Sequence, residues 1–275
     1  MTTMKSIKKR RGARLGQHFL TGEWAATALA DAAQIQPGET VLEIGPGKGA
    51  LTKKLLATGG RVIAIEKDEM LVRHLEATFT NEIASGRLIV LHGDIRNFDA
   101  QRLNLKAGEY VLAANIPYYI TGEIIRQFLS TSAQPRAIAL LIQKEVADRI
   151  MARDHKESIL SLSVKVYGTP KIIAKVSKGN FSPPPSVDSA ILLVSDISKE
   201  SFHDVSEETF FEVVKTGFSS KRKFLANNLG NEFSKDAVAH AFADCGLALN
   251  ARAEDVTLTA WLCISRNRTM SRNDE

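Results

Sequence analysis

The sequence predicts an α/β fold in which a Rossmann-like sheet is followed by a small all-helical domain. Two observations carry this prediction. Short apolar runs typical of buried strands alternate with amphipathic segments as far as residue 194, and only helical spacing remains from residue 198 onward. The run at 40–44 also leads straight into a glycine-rich loop and a helix, which is the first unit of a nucleotide-binding sheet.

Each predicted element follows from the spacing of its apolar residues and from the residues that bound it. Strands are predicted at 40–44, 61–65, 88–92, 110–114, 137–142, 172–176 and 190–194. Helices are predicted at 23–33, 50–58, 68–83, 120–130, 143–150, 158–167, 210–218, 234–244 and 258–264. The chain is thus expected to comprise a basic arm (1–14), an α/β domain (15–197) and a helical C-terminal domain (198–275).

The first predicted helix shows how the buried faces are assigned. Thr21 stands where an N-cap is expected, because its hydroxyl can accept a hydrogen bond from a free amide of the first turn. Helical spacing then predicts that Trp24, Ala28 and Leu29 face the core.

The composition is that of an ordinary globular protein. Of 275 residues, 44% are hydrophobic and 24% charged, and no apolar run approaches the roughly 18 residues that a membrane span needs. We therefore expect a cytoplasmic monomer without a membrane partner, and no metal site. Because no secretory signal accompanies Cys245 and Cys263, we expect them to be two small buried hydrophobic residues rather than a disulfide.

The charge distribution suggests a polyanionic partner. The formal net charge is +5, and a run of basic residues precedes the first acidic residue, Glu23. The arm is open to three interpretations: a solvated tail, a phosphate-binding arm or an organelle transit peptide. A second basic cluster lies in the helical region. The candidate RNA-binding residues are Lys8, Lys9, Arg10, Arg11, Lys221, Arg222 and Lys223.

The glycine-rich loop and the end of the next strand predict an adenosine-binding site. Glycines such as Gly45 let the backbone approach a ligand closely. Glu66, about twenty residues on, can accept hydrogen bonds from both ribose hydroxyls. A nicotinamide dinucleotide and S-adenosylmethionine both remain possible at this point. Glu43 and the third glycine, Gly49, favour the methyl donor, which has no pyrophosphate to hold.

Two later strand ends extend the site. Asp94 can accept a hydrogen bond from the amino group of the cofactor's adenine, although a turn or a cap would also explain it. Asn115 opens the sequence Asn-Ile-Pro-Tyr, in which the amide oxygen and the Ile116 carbonyl can accept both hydrogens of an exocyclic amino group. Tyr118 then offers a face on which the target base can stack.

Phe181 has two possible roles. It begins a segment with three consecutive prolines, which hold an extended loop rigid and would fix the position of the ring. The ring is either a core residue or a second stacking face for the base.

The ordered motifs resemble those of the ribosomal RNA adenine N6,N6-dimethyltransferases, which act on paired adenosines near the 3′ end of small-subunit rRNA. The resemblance covers nearly the whole chain. Its segments are 15–20, 41–52, 65–68, 93–94, 115–120, 143–149, 181–191 and 218–229. It implies a class I methyltransferase fold, S-adenosylmethionine as the cofactor, and small-subunit rRNA within a pre-ribosomal particle as the partner.

The resemblance also implies roles for single residues. By position, the methyl donor is contacted by His18, Leu20, Gly45, Glu66, Asp94 and Asn115. The target base is held by Asn115, Tyr118 and Phe181, of which Asn115 and Tyr118 are the catalytic residues. Tyr119 is a departure, because the family more often carries Asn there.

Three other functions stay open. Macrolide-resistance methyltransferases, which act on large-subunit rRNA, share the Asn-Ile-Pro-Tyr sequence, but residues 218–229 look more like the small-subunit group. A DNA adenine methyltransferase is the second alternative. The third is a ribosome-assembly factor whose binding matters more than its catalysis.

Overall fold

The computed structural model describes residues 18–98 and 100–267. Within these ranges the chain forms nine strands and eleven α-helices. The strands are β1 (Phe19–Leu20), β2 (Thr40–Ile44), β3 (Arg61–Glu66), β4 (Leu88–His92), β5 (Tyr110–Asn115), β6 (Ala137–Gln143), β7 (Thr169–Val176), β8 (Phe181–Ser182) and β9 (Ser189–Ser195). The helices are α1 (Glu23–Ala32), α2 (Ala50–Ala57), α3 (Glu69–Thr78), α4 (Thr80–Ala84), α5 (Thr121–Ser130), α6 (Lys144–Met151), α7 (Ile159–Lys165), α8 (Glu207–Gly217), α9 (Leu225–Leu229), α10 (Lys235–Asp244) and α11 (Leu258–Arg266).

Seven strands form the central sheet, in the order β4-β3-β2-β5-β6-β9-β7. The five strands from β4 to β6 are parallel, whereas β9 runs antiparallel to both of its neighbours. The chain builds outward from β2 to β4 and then returns to the other side of β2 with β5. This reversal opens a crevice at the carboxyl ends of β2 and β5, the place where open α/β sheets bind ligands. The predicted α/β fold is confirmed.

Alternate residues of each inner strand pack on opposite faces of the sheet. In β5, Leu112 and Ala114 join one apolar cluster, and Val111 and Ala113 join the other. Because both faces are covered, these strands read as continuous apolar runs in the sequence.

The helices that follow β9, α8 to α11, form the helical segment, which extends the core on one face of the sheet. Trp261 of α11 is fully buried and stacks on Phe218, with ring centroids 5.5 Å apart. Both α8 and α11 belong to the same apolar cluster as Leu112. In the described part of the chain no strand follows β9. The division into domains at residue 197 stays a prediction.

Three expectations for helices are wrong. Trp24 is 55% exposed, because the buried stripe of α1 is formed by neighbouring small residues and Leu29. Gly22, not Thr21, occupies the N-cap position, and no side chain caps that end. The single helix expected at 68–83 is interrupted at Phe79, whose φ of −113° and ψ of 37° separate α3 from α4.

The expectation for the cysteines is also wrong. Cys245 and Cys263 form a disulfide, with their Cα atoms 5.8 Å apart. The argument from composition missed it because it concerned the compartment, whereas the pairing arises from the packing of α11 beside the end of α10.

The disulfide is expected to stabilise the helical segment. It closes a loop with a sequence separation of 18 residues, so the chain-entropy relation predicts a loss of about 3 kcal/mol in the free energy of unfolding when both cysteines are replaced by alanine. Urea denaturation of the oxidised protein, the reduced protein and the double variant measures this loss. Equal midpoints for all three would contradict it.

Candidate active site

The glycine loop brings its backbone close to the end of β3. Gly47 has a φ of 58°, which L side chains rarely adopt, and a Cβ there would lie 3.0 Å from the Phe19 ring. Its amide donates a hydrogen bond to Glu66 Oε2 at 3.0 Å. The loop therefore requires glycine at this position, and it lies against an acidic side chain.

Glu66 is fixed at the carboxyl end of β3. Its side chain is buried, and its second oxygen, Oε1, accepts a hydrogen bond from the Asp68 amide at 2.9 Å. Each carboxylate oxygen has two acceptor positions. One position on each oxygen is thus left for the two hydroxyls of a ribose.

Glu43 is a residue of the site to which the sequence analysis assigned no contact. It is 1% exposed and lines the same cavity as Glu66. Both of its carboxyl oxygens are buried, and the hydroxyl and backbone amide of Thr52 lie beside them and favour the ionised form. Burial raises the pKa of Glu43 to about 8, and the nearby Glu66 carboxylate acts in the same direction. In the sequence, the feature that indicated a role for Glu43 in the site was its position two residues before the first glycine of the loop.

Asp94 caps the short 3₁₀ turn that follows β4. Its Oδ1 accepts hydrogen bonds from the backbone amide and Nε of Arg96, at 3.1 and 3.0 Å. Its Oδ2 accepts from Arg96 Nη2 and Lys67 Nζ, at 2.5 and 2.9 Å. The Arg96 guanidinium, with Lys67 adding to its effect, holds the pKa of Asp94 well below its usual range, so the carboxylate is ionised at neutral pH.

The Asn115 amide has a defined orientation. Its Nδ2 donates a hydrogen bond to the backbone carbonyl of His18 at 3.1 Å. The amide oxygen therefore points away from the His18 carbonyl, and it can accept a hydrogen bond from a ligand. The short strand β1 makes this contact possible, because its pairing with β8 fixes the chain beside residue 18.

The Tyr118 side chain is fixed by a hydrogen bond at its hydroxyl and by a stacking contact at its ring. Its hydroxyl hydrogen-bonds the Ser189 hydroxyl at 2.8 Å, and Ser189 is fully buried at the start of β9. Its ring stacks on the His18 ring, with centroids 5.8 Å apart and planes inclined by 28°. His18 Nδ1 in turn contacts the Pro183 carbonyl oxygen at 2.8 Å.

The predicted residues fall into three groups. One cavity is lined by His18, Leu20, Gly45, Glu66, Asp94, Asn115 and Tyr118, together with the unpredicted Glu43, Lys67 and Arg96 and with Tyr119. Phe181 does not line it; that ring is 4% exposed and packs in the core with Leu20, as its interpretation as a core residue requires.

The basic cluster at 221–223 lies apart from this cavity. Residues 221–223 are exposed between α8 and α9, and Lys221 borders a second, larger cleft formed by α5, α6, α7 and α8. Lys8, Lys9, Arg10 and Arg11 lie outside the described residues.

The cavity fits S-adenosylmethionine. The cofactor carries an ammonium group, a sulfonium centre and an adenosine, and the wall offers carboxyl groups from Glu43, Glu66 and Asp94. The buried oxygens of Glu43 have Thr52 as a neighbour and can still accept further hydrogen bonds from a polar ligand. The close approach of the Gly47 backbone leaves room for the ligand on the loop side.

A predominantly parallel sheet whose switch point holds a cavity lined by Glu43, Glu66 and Asp94 indicates the class of protein: an S-adenosylmethionine-dependent methyltransferase. The model of the family described as ribosomal RNA adenine dimethylase matches residues 8–268. The chain belongs to that family.

Named relatives agree with this assignment. Over 263 residues the chain is 38% identical to "Ribosomal RNA small subunit methyltransferase A" of Dehalococcoides mccartyi strain CBDB1, covering 94% of this chain and 89% of that protein. It is 36% identical over 260 residues to the protein of the same name from Thermosynechococcus vestitus, covering 92% and 94%.

Solved structures show the same fold. A dimethyladenosine transferase from Plasmodium falciparum superposes with a TM-score of 0.75 at 25% identity, covering 90% of this chain and 96% of that one. The 23S rRNA methyltransferase ErmE superposes with a TM-score of 0.73 at 21% identity, covering 90% and 98%.

Proposed function

We propose that this protein transfers methyl groups from S-adenosylmethionine to N6 of two adjacent adenosines near the 3′ end of small-subunit rRNA, giving N6,N6-dimethyladenosine. The observation that carries the proposal is the convergence of Glu66, Asp94, Asn115 and Tyr118 on one cavity. The relatives named as small-subunit methyltransferases support this choice of rRNA over large-subunit rRNA.

Asn115 orients the attacking nitrogen. When bound, the cofactor supplies an electrophilic methyl group on a sulfonium centre. Adenine N6 is a poor nucleophile because its lone pair is delocalised into the ring, so alignment supplies most of the rate. With Nδ2 committed to the His18 carbonyl, the amide oxygen of Asn115 accepts a hydrogen bond from one N6–H, and the Ile116 carbonyl accepts a hydrogen bond from the other.

Tyr118 stabilises the charge that develops on N6. Its ring face lies beside the base, where a cation–π contact contributes about 0.5–2 kcal/mol. The transferred methyl leaves a neutral thioether behind, so no general acid is needed, and the N6 proton departs to solvent. A base inside a duplex cannot reach this cavity and must be unpaired or flipped out.

The second stacking face is open to two assignments. A base inserted between two aromatic rings needs about 7 Å between the ring planes. The centroids of the His18 and Tyr118 rings are 5.8 Å apart. The His18 ring therefore moves aside if the base enters on that face of Tyr118. Phe181 serves as the partner only if its ring leaves the core.

Ser189 is expected to act as a positioning residue for Tyr118. Ser189→Ala removes the hydrogen bond to the Tyr118 hydroxyl, and we expect a fall of about tenfold in kcat with little change in the KM for the cofactor. In a Tyr118→Phe background the same substitution should add nothing, because the hydrogen bond is already lost.

Ser265→Ala is the matched control for this double-mutant cycle. Ser265 is also buried, and its hydroxyl donates to the Trp261 carbonyl, away from the cavity. Additive effects of Ser189→Ala and Tyr118→Phe would show that Ser189 does not act through Tyr118.

The exposed cluster at 221–223 is proposed to contact RNA phosphates, as are the basic residues of the arm. Replacing Lys221, Arg222 and Lys223 with alanine should weaken RNA binding and make the negative slope of log affinity against log salt shallower by about 2, because three phosphate contacts are lost at about 0.7 counterions each. Filter binding at salt concentrations from about 50 to about 300 mM measures the slope. An unchanged slope would exclude the cluster from the interface.

The finer features of the partner are part of the proposal. The substrate is rRNA within a pre-ribosomal small subunit, bound by a cytoplasmic monomer that comprises the arm, the methyltransferase domain and the helical domain. No helix in the described ranges is long and apolar enough to cross a membrane.

A comparison of acceptors tests the particle. Methylation by the purified full chain is measured on unmethylated small-subunit particles and on the same rRNA stripped of protein. The proposal predicts at least a tenfold higher kcat/KM for the particle, since the folded partner presents the unpaired adenosines. Equal rates on both acceptors would remove the particle from the proposal.

A further inference from the structure

The Asp94 carboxylate has no acceptor position to spare. It receives four hydrogen bonds, three from Arg96 and one from Lys67. An ionised carboxylate offers about four lone-pair positions. If Asp94 accepts the amino group of the cofactor's adenine, one of these donors has to leave.

Lys67 and the Arg96 side chain are the donors free to move. Lys67 is 54% exposed in its side chain and Arg96 is 40% exposed, whereas Asp94 is 16% exposed. The backbone amide of Arg96 is held by the 3₁₀ turn that Asp94 caps, so it stays. Among the described residues, the Lys67 ammonium makes its ion pair with Asp94 alone.

Both cations line the cavity that contains the proposed base-binding residues. Lys67 and Arg96 line the cavity together with Tyr118 and the exposed Tyr119. A base inserted as far as Tyr118 leaves its own phosphates at this mouth, because the backbone of a flipped nucleotide stays outside the pocket. An ammonium and a guanidinium are the groups that bind RNA phosphates.

We propose that Lys67 and Arg96 form the site for the RNA phosphates beside the target adenosine, and that the cofactor's adenine displaces one of these two side chains from Asp94 so that it can bind them. This inference rests on the proposed function. It makes cofactor and RNA binding mutually reinforcing: the cofactor frees a cationic side chain for the RNA, and by linkage the RNA favours the cofactor to the same extent.

The test is the affinity for RNA with and without a saturating unreactive cofactor product, S-adenosylhomocysteine. Unmethylated small-subunit particles serve as the RNA probe, in a filter-binding assay. For the wild-type protein, the Kd for the particles should fall about five- to tenfold when the product is present, within the usual range of coupling. For the double variant Lys67→Ala and Arg96→Ala, the Kd should be the same with and without it.

Lys106→Ala is the matched control. Lys106 is an exposed cation paired with Glu109 just before β5. It therefore lies at the amino ends of the parallel strands, opposite the carboxyl ends that form the cavity, and this variant should keep the full coupling. Calorimetry without RNA gives a second readout: the double variant should bind S-adenosylhomocysteine two- to fivefold more tightly, because the competing donors are gone.

Three results would overturn the inference. They are an absence of coupling in the wild-type protein, full coupling in the double variant, and a double variant that binds S-adenosylhomocysteine more weakly. Failure of the proposed function looks different, since the wild-type protein would then neither bind nor methylate the particles under any condition.

Discussion

Replacing Asn115 with alanine is expected to lower kcat for methylation by at least roughly a hundredfold. The variant lacks the amide oxygen that accepts a hydrogen bond from N6, so the attacking lone pair is no longer aligned with the methyl group. Losses in kcat of this size follow the removal of one group that stabilises a transition state. Single-turnover transfer of labelled methyl groups, with the enzyme in excess, measures the chemical step directly.

Two comparisons separate chemistry from folding and binding. Asn115 is also a predicted cofactor contact, so the Kd for S-adenosylhomocysteine should rise, but by much less than kcat falls. Asn81→Ala, an exposed change on α4, should leave the rate unaltered. An Asn115→Ala protein that methylates at a normal rate would refute the assigned mechanism.

The second large effect is on stability. Glu43→Gln should stabilise the cofactor-free protein at alkaline pH relative to the wild type. The folded-state pKa of Glu43 is about 8, against an ordinary value of 4.5. Between these pH values the unfolded chain releases a proton that the folded protein keeps, so the wild-type free energy of unfolding loses about 4 kcal/mol as pH rises from 4.5 to 8.

The sign of this effect makes the test specific. Below pH 4.5 the carboxyl is protonated in both states, and its contribution to stability is fully present; it is lost as pH rises through the folded-state pKa. Glutamine does not titrate, so the difference in unfolding free energy between variant and wild type should grow steadily from pH 5 to pH 8 in urea denaturation. A difference that is constant with pH would mean that Glu43 ionises normally in the fold.

The residues at strand ends were predictable from the sequence. Glu66, Asp94 and Asn115 each end or follow an apolar run, and the carboxyl ends of parallel strands meet at one edge of a sheet. Their convergence on one cavity therefore follows from local pattern and topology alone. The glycine loop was predictable for the same reason.

Contacts between distant segments were not predictable in this way. The hydrogen bond between Tyr118 and Ser189 spans 71 residues, and the bond from Asn115 to His18 spans 97. The pairing of β1 with β8 that supports the second of these involves two residues on each strand, too few to leave a periodic signal.

The remaining errors have related causes. Trp24 has the right spacing for burial, but the smaller side chains of α1 allow the helix to pack closely on its neighbours without it. The disulfide depends on where two late helices meet, which spacing does not specify.

The central claim is tested most directly by methyl transfer from labelled S-adenosylmethionine to three acceptors: unmethylated small-subunit particles, large-subunit rRNA and DNA. Mass mapping of the labelled nucleosides identifies the product and its position. The account predicts label on two adjacent adenosines near the 3′ end of small-subunit rRNA, as N6,N6-dimethyladenosine. Label confined to large-subunit rRNA or DNA, or no transfer to any acceptor by a protein that binds the cofactor, would contradict it.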